Sequence, residues 1–576
     1  MADAERAATR RPGRAWLALA AALTIAALFA IDWRFDEWAG AAGRARAFER
    51  LRGLGGAAVA PDFSAETLRL GWRLSLDTLA IAAWGTLLGA LGGFLLAIPA
   101  TRALVLGVEP PARGVRRLRH LALRALLELA RLLLDALRGV PDFAWAVLIS
   151  TLPGPGPITG VCAIALSVAG ILGKIYSEHW DALAQRRLAP GLATGAGRIG
   201  MLAYLVQPLC ARASLSYTLM RAECAVRNAS VIGAVGGGGL GGQMLEEFSY
   251  GNDRGAVTLL LFLVAVTASA DLATNWLRLK LREDPNHPRP AHTLSREASR
   301  ARRVGVLAGI AAGALLAGLW LRGALANAID ELDRIEWGFI GEHFGQLLRP
   351  DLSAAALGSA LRGIPLPLAL GWLGTLLAVL GAALLAYPAS TAMQWEPERF
   401  TGERVAPARR AARALLLGAA RALALLLRAV PEAAWALLFA ALLRAGPLPA
   451  LAALALHSCG VLARVYSESV DDVPYRALEP AAAGGRLGAF LYGALPAARS
   501  DWTTYAFFQL ESNVRTGVLL GILGLGGIGN SFHTAFVEAR MPLAGTYLFA
   551  MVLLTVLLDR TSRWLKIAGS GVARRA

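Results

Sequence analysis

Residues 75–98 read SLDTLAIAAWGTLLGALGGFLLAI and stop at Pro99. A helix of that length spans roughly 30 Å of hydrocarbon at about 1.5 Å per residue. The run returns further along the chain, where Gly374-Thr375-Leu376-Leu377 answers Gly85-Thr86-Leu87-Leu88 and Pro388 answers Pro99, both at an offset of 289. Beyond it, Pro141, Trp145, Gly156-Pro157, Gly170, Leu172 and Tyr176-Ser177-Glu178 recur at an offset of 290 as Pro431, Trp435, Gly446-Pro447, Gly460, Leu462 and Tyr466-Ser467-Glu468. Pro208, Glu223, Arg227, Gly233, Gly236, Gly238, Gly239 and Gly241 recur at 288 as Pro496, Glu511, Arg515, Gly521, Gly524, Gly526, Gly527 and Gly529. Ordered identity with slips of one or two residues is a tandem duplication, and an internal repeat governs every later reading. The join lies near the polar, proline-rich Glu283-Asp284-Pro285-Asn286-His287-Pro288. The expected domains are therefore a first half 1–280, a linker 281–303 and a second half 304–576.

Composition agrees with a membrane protein. Of 576 residues, 56% are hydrophobic and 17% charged, against about 25% charged in ordinary soluble domains. Mean hydropathy is +0.50. Soluble, disordered and disulfide-rich secreted classes are excluded. The four cysteines lie in apolar stretches without CxxC spacing, and the seven histidines form no ligand-spaced pair, so no metal or cofactor is indicated.

The 58 basic against 41 acidic residues report orientation first. Arg6, Arg10, Arg11 and Arg14 precede the first apolar run, the segment 102–124 and the linker are basic, and the tail holds Arg560, Arg563, Lys566, Arg574 and Arg575. All are expected inside, with both termini cytoplasmic. The acidic stretch 323–364 is expected outside, as is 32–73, although its seven Arg and six acids nearly cancel. Equal orientation of the halves requires an even number of spans in each. We read six: 15–31, 75–98, 128–152, 157–176, 205–232 and 255–277, then 304–322, 365–388, 416–443, 448–466, 493–520 and 543–559. Lipid forces such Leu/Ala-rich segments into helices. The fold class is thus all-α, with about twelve transmembrane helices in two homologous halves. Pro141 and Pro431, inside Arg-studded segments, are expected to kink their helices.

A short hydrophilic segment follows the fourth span of each half. Ala189-Pro190-Gly191, Gly195, Leu205 and Pro208 in the first, and Ala477-Leu478-Glu479, Ala483-Gly484 and Leu495-Pro496 in the second, are spaced like the cytoplasmic coupling loop of binding-protein-dependent ABC importer permeases. Together with Arg138-Gly139-Val140-Pro141, the Gly170–Glu178 stretch, Glu223, Arg227 and the second-half copies Arg428, Glu511 and Arg515, the chain resembles a phosphonate ABC transporter permease of the PhnE type. The likeness covers roughly 75–280 and 365–560. It implies a type I importer fold in the bacterial cytoplasmic membrane, two cytoplasmic ATPase subunits docking on the two loops, and a periplasmic phosphonate-binding protein. The same machine carrying phosphate, phosphite or another oxyanion is an alternative. A secondary transporter with parallel repeats is another.

Glu223 with Arg227 and Glu511 with Arg515 stand one helical turn apart, so each pair can neutralise itself within a span. Such a pair either fixes helix packing or lines an anion path. Arg138 and Arg428, beside the prolines, either reach to the interface or join that path. Gly236, Gly238, Gly239 and Gly241, and Gly524, Gly526, Gly527 and Gly529, formally contain GxGxxG, but no strand precedes them, so a buried turn or close helix approach is expected rather than a nucleotide site. The chain has no GxxxxGK[ST], so ATP hydrolysis is expected in a separate subunit.

Overall fold

A computed structural model describes residues 12–35, 40–106, 115–152, 154–183, 197–281, 293–334, 336–395, 406–474, 478 and 485–573. Among these residues the regular structure is helical throughout, with no strand. In chain order the helices are α1 Pro12–Ala30, α2 Ala41–Val59, α3 Ala65–Ala100, α4 Val115–Gly139, α5 Asp142–Ile149, α6 Pro157–Asp181, α7 Gln207–Ile232, α8 Leu240–Ser249, α9 Asp253–Leu281, α10 Thr293–Asp333, α11 Trp337–Leu347, α12 Ala354–Gly363, α13 Pro365–Ala389, α14 Pro407–Ala429, α15 Glu432–Leu443, α16 Pro447–Asp471, α17 Leu495–Leu520, α18 Ile528–Val537 and α19 Met541–Ala573.

Among the described residues, seven helical stretches are long and apolar enough to cross a membrane: α3, α6, α9, α10, α12 with α13, α16 and α19. Two bent pairs raise the number to nine, α14 with α15 at 86° and the helix over 485–525 with α18 at 52°. The expected continuous spans 128–152 and 416–443 are not formed. α4 ends at Gly139 and α5 has 8 residues, a length of about 12 Å that cannot cross hydrocarbon. The proline does more than kink the helix, because Pro141 and Pro431 stand as N-caps of new helices in extended backbone. Apolar length alone misleads here. α4 and α14 carry arginines along one face and exposed leucines, among them Leu129, Leu132, Leu415 and Leu426, along another.

The chain packs as two compact units, residues 53–341 and residues 1–52 with 342–576. This boundary differs from the repeat boundary because the leading helix of each half packs on the other half's core. In the first unit α10 lies on α3, where Trp84 Nε1 donates to the Ala314 carbonyl at 2.9 Å and Trp320 Nε1 to Asp77 Oδ1 at 2.8 Å. In the second, α1 lies on α13, and Trp372 Nε1 donates to Thr24 Oγ1 at 3.0 Å.

Each core is built on small residues. Gly85, Gly89 and Gly93 let α3 close on α6, and a methyl group on any of them would come within 2.8 Å of Ile164, Val168 or the Gly173 nitrogen. In the second unit Gly374 keeps the place of Gly85, while Ala378 and Ala382, both fully buried, take those of Gly89 and Gly93 beside Cys459, Leu462 and Tyr466. The N-terminal ends of α3 and α12 are fixed alike. The Asp62 carbonyl accepts from Thr258 Oγ1 at 2.9 Å and the Asp351 carbonyl from Thr546 Oγ1 at 2.7 Å.

Candidate functional site

The paired prolines organise each unit. Pro141 has no N–H for the Leu137 carbonyl four residues back, and that carbonyl instead accepts from Trp145 Nε1 at 3.2 Å. Pro431 and Trp435 do the same, Trp435 Nε1 donating to the Leu427 carbonyl at 3.1 Å. The conserved interval from proline to tryptophan in the two halves is thus a side-chain cap over a broken helix. Gly170 and Gly460 seat the break: a Cβ on either would come 2.6 Å from the backbone nitrogen of Arg138 or Arg428.

Charged and polar groups gather at this break. In the first unit Asp135 binds Lys174 Nζ at 2.8 Å and Arg138 Nη2 at 3.4 Å, with all three side chains largely buried. Asp142, which opens α5, accepts from Ser167 on α6 and from Asn228 on α7, tying three helices at one carboxylate. In the second unit Glu432 takes the place of Asp142, and its Oε1 lies 3.3 Å from Nε2 of the buried His457. Arg428, four residues before Glu432 in the sequence, is buried as well. Arg464 stands where Lys174 stands but turns to Glu468 on its own helix at 2.8 Å, because Leu425 replaces Asp135.

Glu223 and Arg227 form their pair at 3.3 Å, and Glu511 and Arg515 theirs at 2.9 Å. Glu223 is 8% exposed. The second unit also holds a neutral buried network. Ser458 Oγ donates to Asn513 Oδ1 at 2.7 Å, Gln509 Nε2 reaches both, and Asn513 Nδ2 donates to Thr375 Oγ1 at 2.9 Å.

After α7 and α17 the glycine runs break the helix and redirect the chain. Gly236, Gly238 and Gly239 have φ of +101°, +73° and +79°, and Gly524, Gly526 and Gly527 have +81°, +101° and +82°, values that favour a residue without Cβ. Gly241 and Gly529 then pass against the carbonyls of Ser230 and Val518, where no Cβ fits. In the first unit Thr78 Oγ1 receives the Leu240 N–H at 3.0 Å and Gly236 accepts from the Gly156 N–H at 2.7 Å.

Of the coupling-loop residues, Pro208 and Pro496 lie exposed in the first turns of α7 and α17. Ala189, Pro190, Gly191, Gly195, Ala477, Glu479, Ala483 and Gly484 lie outside the described residues. Sequence reasoning passed over Asp135, Asp142, Ser167, Asn228 and His457. The signal for Asp142 was present, since it aligns with Glu432 at the offset of 290 set by the neighbouring proline.

Residues 122–283 match the family of binding-protein-dependent transport system inner membrane components. The phosphate-import permease protein PhnE of Mycolicibacterium smegmatis is 27% identical over 508 residues, covering 86% of this chain and 85% of that protein. The putative cryptic phosphonate transport system permease protein PhnE2 of Escherichia coli is 31% identical over 116 residues, 20% of this chain and 95% of that protein. This chain belongs to the binding-protein-dependent transport permease family. The phosphite transport system permease protein PtxC of Stutzerimonas stutzeri is also similar, 28% identical over 225 residues, 39% of this chain and 75% of that protein. As a member of the family, the chain is a multi-pass inner-membrane permease and a transport component rather than an enzyme, working with a substrate-binding protein and an ABC ATPase.

Proposed function

We propose that this permease carries phosphonates into the cell, supplying both membrane halves of the importer in one polypeptide. The fused-permease reading rests on the alignment across 508 residues, which runs through both halves, with a relative named as a phosphate-import permease, and the phosphonate substrate on the similarity to a relative named as a putative cryptic phosphonate transport system permease. Phosphonates and phosphate share a tetrahedral, doubly charged headgroup. Inorganic phosphate is therefore the second reading, favoured by that relative's name, and phosphite the third.

Two ATPase subunits dock on the loops from Ala189 to Pro208 and from Ala477 to Pro496, and both termini face the cytoplasm, as the basic linker and tail require under the positive-inside rule. A phosphonate-binding protein delivers the anion from outside. ATP binding shifts the permease between inward- and outward-open states. Arg138, Arg227, Arg428 and Arg515 supply positive charge near the path, each held by or beside a carboxylate so that it is tolerated at membrane depth.

The test is uptake of a labelled phosphonate into proteoliposomes with and without ATPase, binding protein and ATP. Uptake is expected only with all three, and competition by phosphate and phosphite ranks the substrates. Uptake by the permease alone on an ion gradient would overturn the importer reading. Arg227→Gln and Arg515→Gln, measured separately, are expected to lower uptake. No change in either would remove both arginines from the anion path.

A further inference from the structure

One residue just before each proposed ATPase-docking loop and one within it share a partner turn. Asp181, the last residue of α6, accepts from the backbone N–H groups of Arg102 at 3.2 Å and Ala103 at 3.0 Å, and from Arg131 Nη2 at 3.0 Å. Arg131 of α4 also donates through Nε to the Ala100 carbonyl at 3.0 Å. Within the loop, Arg198 Nη1 donates to the Val105 carbonyl at 2.6 Å. Asp181, before the loop, and Arg198, within it, are thus tied to one turn, residues 100–105, where α3 ends.

The second unit repeats the arrangement with the offsets of the duplication. Asp471 accepts from Thr391 N at 3.2 Å, Ala392 N at 2.9 Å and Ser390 Oγ at 2.5 Å. Arg421 donates to the Ala389 carbonyl at 3.0 Å and to Thr391 Oγ1 at 2.6 Å, and lies 3.5 Å from Asp471. Arg486 Nη1 donates to the Met393 carbonyl at 2.6 Å. Leu478, within the second segment, is buried against this same corner with Met393 and Phe490.

The ion pairs themselves add little to stability. Arg131 and Asp181 side chains are 41% and 26% exposed, and Arg421 and Asp471 50% and 24%, a range in which an ion pair contributes little. Charge-assisted bonds to backbone instead fix direction. We infer that these two turns, 100–105 and 389–394, are relays that pass movement of the ATPase-docking segments to α3 with α4 and to α13 with α14. Arg131, Asp181 and Arg198, and Arg421, Asp471 and Arg486, are the positioning residues. A displacement of the loop pulls on the turn through Arg198 against the anchor at Asp181, and the turn, being one with the end of α3, cannot yield without moving the helix. The inference rests on the importer reading.

The experiment measures uptake per ATP hydrolysed by the assembled importer in proteoliposomes, wild type against Asp181→Asn, Arg131→Gln and Arg198→Gln and their second-half counterparts. Arg198 is exposed and its substitution removes one bond, so it keeps the test open if Asp181→Asn assembles poorly. Loss of coupling is expected to cut uptake per ATP about fivefold or more, with ATP hydrolysis retained and partial recovery in Asp181→Glu and Arg198→Lys. Arg421→Gln is expected to be milder than Arg131→Gln, since Asp471 keeps the Ser390 hydroxyl. Unchanged uptake per ATP in the variants, whatever their yield, would overturn the relay. Absence of ATP-dependent uptake by the wild type would instead overturn the importer reading, and the relay with it.

Discussion

His457 Nε2 lies 3.3 Å from Glu432 Oε1 while its Nδ1 lies 3.0 Å from the Val430 carbonyl. A carbonyl can only accept, so Nδ1 carries a proton, and the contact with Glu432 then needs one more proton shared between ring and carboxyl. The first unit solves the same position with neutral donors, Ser167 and Asn228 on Asp142. Its own other half therefore supplies the control. His457→Ala leaves the Glu432 carboxyl without this partner and is expected to lower the thermal midpoint in detergent, in line with the ~3 kcal/mol cost of breaking a buried pair. Installing the first half's set, Glu432→Asp with His457→Ser and Thr516→Asn, is expected to recover most of the loss. Recovery no better than the single variant would show that the two halves do not share this geometry.

The Ser458–Gln509–Asn513–Thr375 network invites the same comparison. Val168 and Ala225 occupy the places of Ser458 and Asn513 in the first half. Asn513→Ala alone strands buried polar groups and is expected to cost about 1–3 kcal/mol. Ser458→Val with Asn513→Ala, the first half's pair, is expected to cost less than Asn513→Ala alone. Thermal unfolding of the two variants side by side decides it.

Much of this was legible in the sequence, for physical reasons that can be named. Apolar runs such as 75–98 and 157–176 fall inside α3 and α6 because burial in lipid admits only helices there. The run 128–152 misled because leucines on an amphipathic face count the same as leucines in a span. The exchange of α1 and α10 was not legible, since it turns on single tryptophans, Trp84, Trp320 and Trp372, that have no repeat partner. Asp181 and Arg131 were legible in principle: both recur at the offset of 290, but charges at span ends read as ordinary interface residues until their shared backbone partners are seen.

Gly170 and Gly460 are predicted to be intolerant of a methyl group. Each Cβ would meet a backbone nitrogen 2.6 Å away, which no side-chain rotation relieves. Gly170→Ala and Gly460→Ala are expected to lower folded yield and thermal midpoint sharply. Gly418→Ala, on α14 with nothing near its Cβ, is expected to be neutral or stabilising by up to about 1 kcal/mol. Equal midpoints for all three would refute the close approach.

The end of α3 that Asp62 secures should respond to acid in one direction. The Asp62 carboxylate accepts from Thr67 Oγ1 at 2.6 Å and from the Ser64 N–H at 2.9 Å, and these hydrogen bonds, the Thr67 hydroxyl first, hold its pKa below the ordinary carboxylate value. A depressed native pKa means that the folded chain releases this proton more readily than the unfolded one, so its contribution is present above the unfolded value of about 3.9 and is lost as pH falls through the native value. Asp62→Asn, which keeps the shape without the charge, is therefore expected to melt below wild type at neutral pH and to converge with it only in strong acid. Asp351 has the matching backbone contact, to the Ser353 N–H at 2.9 Å, but Ala356 stands where Thr67 stands, so Asp351→Asn is expected to show a smaller gap. A gap that widens on acidification would contradict the sign of the effect and remove the carboxylate from the cap.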